Sequence, residues 1–345
     1  MEGNCSTDLD CSPLKLCYRE TKWLEAESGC FCNSYNGWTG DSCLENGPGT
    51  LYYLSIISLT LVIGIATVVR AGYSIARLRL DGRLQRNATT LSLALCPSSA
   101  SCFVCWRIIR LVSLLTPESS ADVLTTESGI KNRKDHKLTQ VERLFIGMNT
   151  AFAVATTLHV AIVWVDTAEK SKHLRTEEGQ VLRKFRHFIA VLEVTWVVAS
   201  IILYPISPAA LFLVAILFLL IIIATYTYAR REIVDILGRA ASSNGSSEDL
   251  FRQLIRQMNC ATIGVVLSSL LILIGGTAYT VLSWNDWRYW CEPGKICPVM
   301  AANEFIGIGL SLNGAVLSMF LYSVSISNTR ASLNTQSLQA SITSI

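Results

Sequence analysis

Long apolar stretches separated by short polar segments dominate the chain from residue 50 onward. A helix needs ~20 mostly apolar residues to cross the hydrocarbon core of a bilayer. Seven stretches reach about that length, at residues 50–70, 89–115, 144–166, 187–205, 208–229, 259–284 and 303–327. The pattern therefore predicts an all-α integral membrane protein, a multi-pass seven-transmembrane helix bundle at residues 49–328.

The first 48 residues form a polar segment in which cysteines recur at short intervals. The six cysteines follow C-x5-C-x5-C-x12-C-x-C-x10-C and are Cys5, Cys11, Cys17, Cys30, Cys32 and Cys43. So short a segment cannot bury a sizeable core, so disulfides must hold it together. Six cysteines allow fifteen pairings, and the spacing alone does not choose among them. Because disulfides persist in oxidising compartments, this module is expected outside the cell or in a lumen.

The second half of this module, from Cys30 to Cys43, carries a more specific pattern. It has C-x-C, then Gly37 beside an aromatic residue, then Gly40 and a final cysteine. Over residues 4–44 the segment resembles an EGF-like domain. The resemblance implies the pairs Cys5–Cys17, Cys11–Cys30 and Cys32–Cys43, and either an extracellular protein-binding module or a spacer. Gly37 and Gly40 are expected to take positive φ in a tight turn. Calcium-binding EGF-like domains carry acidic residues just before the first cysteine, whereas Cys5 follows Met1-Glu2-Gly3-Asn4. Calcium is therefore not expected here, and neither is another cofactor.

Basic residues indicate the orientation of the predicted spans. With the N-terminus outside, the cytoplasmic segments hold seventeen Lys and Arg and the outer segments hold ten. Before the first span there are three Lys/Arg and eight Asp/Glu, whereas residues 70–87 hold five Arg and one Asp. The excess of positive charge on cytoplasmic loops places the N-terminus extracellular or lumenal and the C-terminus cytoplasmic.

Ionisable and amide side chains inside the spans are the candidate functional residues, because such groups are costly in a bilayer. Arg107 and Arg110 share one face of the second span at i, i+3, and Glu193 lies in the fourth. The arginines lie in the outer third and Glu193 in the inner third, so no direct ion pair between them is expected. Backbone carbonyls, Asn149 and Asn313 are the favoured partners, and a ligand or ion pathway is the alternative.

The remaining cysteines predict a second disulfide region and no metal site. Cys291 and Cys297 lie in the loop after the sixth span, among three tryptophans, and are predicted to form a bridge. Those tryptophans favour membrane anchoring over contact with a ligand or the module. The cysteines within the spans are expected to be buried free thiols, because no further metal ligands accompany them: Cys96, Cys102, Cys105 and Cys260.

Two cytoplasmic segments could bind proteins. An apolar stripe at helical spacing follows a capping-box-like start at residues 246–249, within the segment 230–257. The stripe favours an extension of the sixth helix with one face on the membrane, and a partner-binding helix is the alternative. The tail at 329–345 is rich in Ser and Thr and is predicted to be disordered. Its end, Thr343-Ser344-Ile345, fits the C-terminus that PDZ domains capture, although a plain polar end is the favoured interpretation.

No catalytic motif stands out, so an enzyme is not expected, and neither is a nucleic-acid partner. His159 in the third span favours packing or a hydrogen bond between helices over metal binding. The span region lacks the signatures of rhodopsin-like receptors. With Arg107 in the second span and Trp164 and Asp166 closing the third, it resembles the plant tobamovirus-multiplication membrane proteins and related orphan seven-span receptor-like proteins. The resemblance implies a lipid-embedded receptor-like protein; a scaffold docked through the module, or a transporter, are the alternatives.

Overall fold

A computed structural model shows a chain made mainly of long helices. The structure describes residues 5–6, 10–11, 15–18, 29–33, 36–80, 88–116, 140–169, 176–206, 208–243, 248–283, 289–292 and 295–343. Its helices are α1 Pro48–Leu80, α2 Ala88–Leu115, α3 Gln140–Glu169, α4 Thr176–Ile206, α5 Pro208–Ser243, α6 Glu248–Ser283 and α7 Pro298–Thr343.

Six of these helices contain stretches long and apolar enough to cross a bilayer. The stretches are Pro48–Leu80, Thr89–Leu115, Leu144–Trp164, Arg183–Ile202, Ile255–Leu282 and Pro298–Ser323. In α5 the described apolar stretch, Val214–Tyr228, is shorter than a span. An all-α, multi-pass membrane fold is therefore confirmed, while the count of seven spans stays a prediction.

Proline marks the first residue of three helices, because its fixed φ suits a helix start and its missing N–H is not needed there. These are Pro48, Pro208 and Pro298. The first intrahelical bonds, from Leu51 N to Gly47 O and from Ala301 N to Cys297 O, place two of them at that position. Helix α7 therefore begins five residues before the predicted span at 303.

The C-terminal tail differs from the predicted disordered segment. Helix α7 continues to Thr343, through most of residues 329–345. That part of the sequence contains neither Gly nor Pro, so nothing in it ends a helix. The last two residues of the PDZ-like motif, Ser344 and Ile345, lie outside the described residues.

The N-terminal module consists of two short hairpins closed by disulfides. Strand β1, Lys15–Tyr18, pairs antiparallel with β2, Gly29–Cys32, and β3, Trp38–Thr39, pairs antiparallel with β4, Glu45–Asn46. Its disulfides are Cys5–Cys17, Cys11–Cys30 and Cys32–Cys43, the pairing that the EGF-like resemblance implies. Gly37 and Gly40 have φ of 76° and 86°, as expected for the turn.

Two compact units make up the chain, each with its own core. The first comprises Met1–Val62, Phe103–Ile146 and Leu270–Ser311, and the second comprises Ile63–Cys102, Gly147–Ser269 and Leu312–Ile345. In the second unit Trp164 packs edge-on against Tyr226 and Phe320. The first unit contains the N-terminal module.

Candidate functional site

The N-terminal module packs directly on helix ends within the first unit. Buried apolar side chains from the module, from three helices and from the Cys291–Cys297 loop form one cluster: Leu16, Tyr18, Tyr53, Ile57, Leu114, Cys291, Cys297, Val299 and Met300. We call the region formed by these residues with Asn36, Trp38, Arg107, Arg110 and Glu304 the module junction. Because this contact buries apolar surface on both sides, the module is held as part of the folded unit.

Trp38 closes the end of α2 from the module side. Its side chain is buried, and its indole Nε1–H donates to the carbonyl of Leu114 over 3.2 Å. Leu114 lies in the last turn of α2, where carbonyl groups have no partner within the helix. The module thus caps a helix end that would otherwise keep an unsatisfied acceptor.

Close backbone approach joins the module to α1 and to the disulfide loop. A Cβ on Gly37 would lie 2.5 Å from the amide nitrogen of Thr50, and a Cβ on Gly49 would lie 2.7 Å from the carbonyl oxygen of Lys295. The Thr50 hydroxyl donates to the carbonyl of Asn36 over 3.0 Å. Both glycines are therefore required by space, and Gly37 also by its positive φ.

Tyr53 of α1 holds the disulfide loop in place. Its hydroxyl donates to the carbonyl of Cys297 over 3.2 Å and accepts from the Cys297 amide over 2.7 Å. The bridge between Cys291 and Cys297 is present, as the sequence predicts. Of the three loop tryptophans, Trp290 is described. It packs against the buried apolar cluster of the module junction, so it contacts the folded protein in addition to the membrane interface expected for it.

Arg107 forms a buried ion pair that the sequence analysis missed. Its Nη1 lies 2.8 Å from Oε2 of Glu304 on α7, and both side chains are fully buried. The guanidinium carbon lies 4.3 Å from the ring centroid of Trp106, a cation–π contact. A Cβ on Gly307 would overlap Nη2 of Arg107, so the absence of a side chain there makes room for the guanidinium.

Arg110 connects the module to the helices. Its Nη2 donates to Oδ1 of Asn36 over 3.1 Å and lies 3.1 Å from the sulfur of Met300. Met300 and Glu304 stand at i, i+4 on α7, so the shared face of Arg107 and Arg110 contacts one face of that helix. The Arg110 side chain is 4% exposed, which makes this a buried contact between module and helix.

Asn149 and Asn313, two of the partners expected for the arginines, make hydrogen bonds to hydroxyl groups of another helix. Asn149 accepts from the Ser99 hydroxyl over 3.0 Å, and Asn313 donates to the Thr157 hydroxyl over 3.0 Å. Both asparagines lie in the second unit, whereas the arginines lie in the first. Each amide instead joins neighbouring helices through small hydroxyl groups, which is a common use of polar residues in spans.

Glu193 is paired with His159 of the predicted third span. Nδ1 of His159 on α3 lies 3.0 Å from Oε2 of Glu193 on α4. The predicted hydrogen bond between helices for His159 is confirmed.

The described cysteines do not suggest a metal centre. The sulfur atoms of Cys5, Cys11 and Cys30 lie within 4.8 Å of one another. All three belong to disulfides and cannot act as thiolate ligands. Among the span cysteines, Cys96 and Cys102 are buried as predicted, Cys105 is half-buried, and Cys260 is exposed, which corrects the expectation for it. Cys260 lies within the apolar stretch Ile255–Leu282 of α6, where a side chain that faces lipid need not be buried by protein.

Comparison with protein-family models gives no match for this chain, and comparison with curated proteins gives none either.

Proposed function

We propose that this chain is a seven-pass, receptor-like membrane protein with an extracellular EGF-like module. The module binds a partner protein outside, and the helices pass that binding to cytoplasmic proteins at 230–257 and the tail. The cysteine pattern and the seven apolar stretches support this topology. The orientation follows from the basic residues next to the spans.

One observation carries the proposal: the module is bonded to helices through a buried charged group. Asn36 of the module accepts from Arg110 of α2, and Arg110 also contacts Met300 of α7. A partner can shift a conformational equilibrium only through contacts that differ between two states. A module that moved on binding would change the surroundings of Arg110, and with them the contact between α2 and α7.

The experiment compares three proteins in intact cells: the wild type, the double variant Asn36→Ala/Trp38→Phe, and a chimera with an unrelated disulfide module at 1–46. A membrane-impermeant cross-linker identifies outer neighbours, and a proximity-labelling enzyme fused to the C-terminus identifies cytoplasmic neighbours. We expect the double variant to keep its outer neighbours because the exposed module surface is unchanged. We expect the cytoplasmic proteins labelled by the double variant to be the same as those labelled by the chimera, because both proteins lack the contact between module and helices.

A non-signalling scaffold or accessory subunit is the second candidate, favoured by the same tight packing of module on helices. It predicts that the chimera alone loses outer neighbours and that cytoplasmic neighbours are equal in all three proteins. Outer neighbours that do not depend on the module would contradict both proposals. Equal amounts of each protein at the cell surface, measured by surface biotinylation, are the control.

A further inference from the structure

Exposed basic side chains gather at the ends of three helices in the second unit. Helix α4 contributes Arg183, Lys184 and Arg186, α5 contributes Arg230 and Arg231, and α6 contributes Arg252 and Arg256. We call these seven residues the basic cluster. Among the described exposed side chains of these helix ends, the seven cations outnumber the carboxylate of Asp235.

Two contacts bring these helix ends together. The ring of Phe185 on α4 lies 6.2 Å from that of Tyr228 on α5. Nε of Arg230 on α5 donates to Oδ1 of Asn259 on α6 over 2.7 Å. On both helices that it joins, each contact lies within one helical turn of a residue of the basic cluster. One turn rises only about 5.4 Å. The contacts therefore bring basic residues of α4 and α6 next to those of α5.

An exposed apolar stripe begins where the cluster ends on α4. Phe188, Val191 and Val194 follow at intervals of three and are 51%, 56% and 63% exposed. On α6, Ile263 is 66% exposed, two turns beyond Arg256. A molecule lying along α4 would thus meet cations at one end and apolar side chains along its length. An anionic headgroup attached to acyl chains matches both parts.

We propose that the basic cluster binds the headgroup of an anionic phospholipid, with a phosphoinositide as the best fit. Arg and Lys bind phosphate through charge-assisted hydrogen bonds, and several cations on three helices can contact more than one phosphate. The acyl chains lie along the stripe Phe188–Val191–Val194. The site is independent of any partner of the N-terminal module.

The test uses the purified full-length protein in detergent and native mass spectrometry. The probes are phosphatidylinositol 4,5-bisphosphate, phosphatidylserine, phosphatidylcholine and soluble inositol trisphosphate. We expect the first to bind most tightly, phosphatidylserine more weakly, and phosphatidylcholine and the soluble headgroup least. The variant Arg183→Gln/Lys184→Gln/Arg186→Gln should bind the phosphoinositide about a hundredfold more weakly, from about 1 kcal/mol per removed charge.

The matched control removes three arginines from another helix, as Arg70→Gln/Arg77→Gln/Arg79→Gln on α1. Helix α1 contacts α7 through Tyr73 and Tyr322, and it contributes nothing to the basic cluster. Its variant should change affinity by about twofold or less. If the α4 triple variant does not purify as one species, Lys184→Gln alone should weaken binding about fivefold.

Three results would overturn the proposal. One is equal binding of phosphatidylcholine and the phosphoinositide. Another is an equal loss of affinity in the α1 and α4 variants, which would mean that net charge alone matters. The third is equally tight binding of soluble inositol trisphosphate, which would show a phosphate site that does not use the acyl chains.

Discussion

Arg107 can occupy its buried position in the module junction because Gly307 has no side chain. Gly307 of α7 leaves the space that Nη2 of Arg107 fills, while Glu304, one turn earlier, neutralises the charge. A charge in the middle of a span costs ~2.5–3.5 kcal/mol on insertion scales. The pair and the ring of Trp106 offset part of that cost, which supports a structural role for the arginine.

Substitution of Gly307 by Ala should displace the guanidinium and weaken its pair with Glu304. Breaking a buried ion pair costs about 3–5 kcal/mol, so the melting temperature of the protein in detergent should fall clearly. Gly314→Ala is the matched control on the same helix, because its Cβ would lie 3.5 Å from Thr67, an ordinary contact. Equal melting temperatures for the two variants would contradict the role given to Gly307.

The ion pair itself can be tested by a double-mutant cycle. Arg107→Met and Glu304→Leu should each destabilise the protein by about 3–5 kcal/mol, because each leaves a buried charge without its partner. The double variant should be far less destabilised than the sum of the two, since both charges are gone. Thermal unfolding of the four proteins measures this, and additive effects would argue against a direct interaction.

Hydropathy and charge predicted Arg107 and Arg110 as candidate functional residues within a span. Glu304 was not predicted, for a geometric reason. The seventh span was predicted from hydropathy to begin at 303, which left Glu304 at its edge. The helix begins at Pro298, so Glu304 lies about 9 Å along it at ~1.5 Å per residue. Arg107 lies about 12 Å from the end of α2 by the same measure. The distance of Glu304 from the start of α7 is similar to the distance of Arg107 from the end of α2. A comparison of these two distances would have suggested that the two residues pair.

At the level of elements, the disulfide loop links α6, α7 and the N-terminal module. Cys297 directly precedes α7, and both its backbone groups bond to Tyr53 of α1. The spacing of the two cysteines predicted this bridge. Its contact with Tyr53 could not be predicted, because it depends on where α1 and α7 meet in space. The same holds for Trp38 and the end of α2.

Replacement of Cys291 and Cys297 by Ala should destabilise the protein by ~2 kcal/mol, the chain-entropy estimate for so short a loop. Tyr53→Phe, which keeps the ring but removes the hydroxyl bonded to Cys297, should cost about 1–3 kcal/mol. Thermal unfolding measures both. Mass spectrometry of unreduced peptides should show the link directly, and two alkylatable thiols at these positions would contradict it.

At the scale of the whole molecule, hydropathy was sufficient for the helices because a bilayer imposes their length. Six spans agree with the apolar stretches, and the disulfide-rich N-terminus agrees with the cysteine spacing. Which helix contacts which was not predictable, because apolar residues on all sides of a span give no strong periodicity. The expectation that Asn149 and Asn313 are partners of the arginines came from that gap.

The orientation of the chain in the membrane can be tested directly. An excess of Lys and Arg at residues 70–87, 166–187 and 230–257, against an acidic N-terminal module, predicts a module outside and these segments in the cytoplasm. The disulfides favour the same side for residues 1–48. An epitope tag before Met1 should bind antibody on intact cells, whereas a tag between residues 243 and 248 should bind only after permeabilisation. Protease added to intact cells should likewise remove the first tag and spare the second. The opposite pattern would overturn the topology, and with it the proposal that the module meets its partner outside the cell.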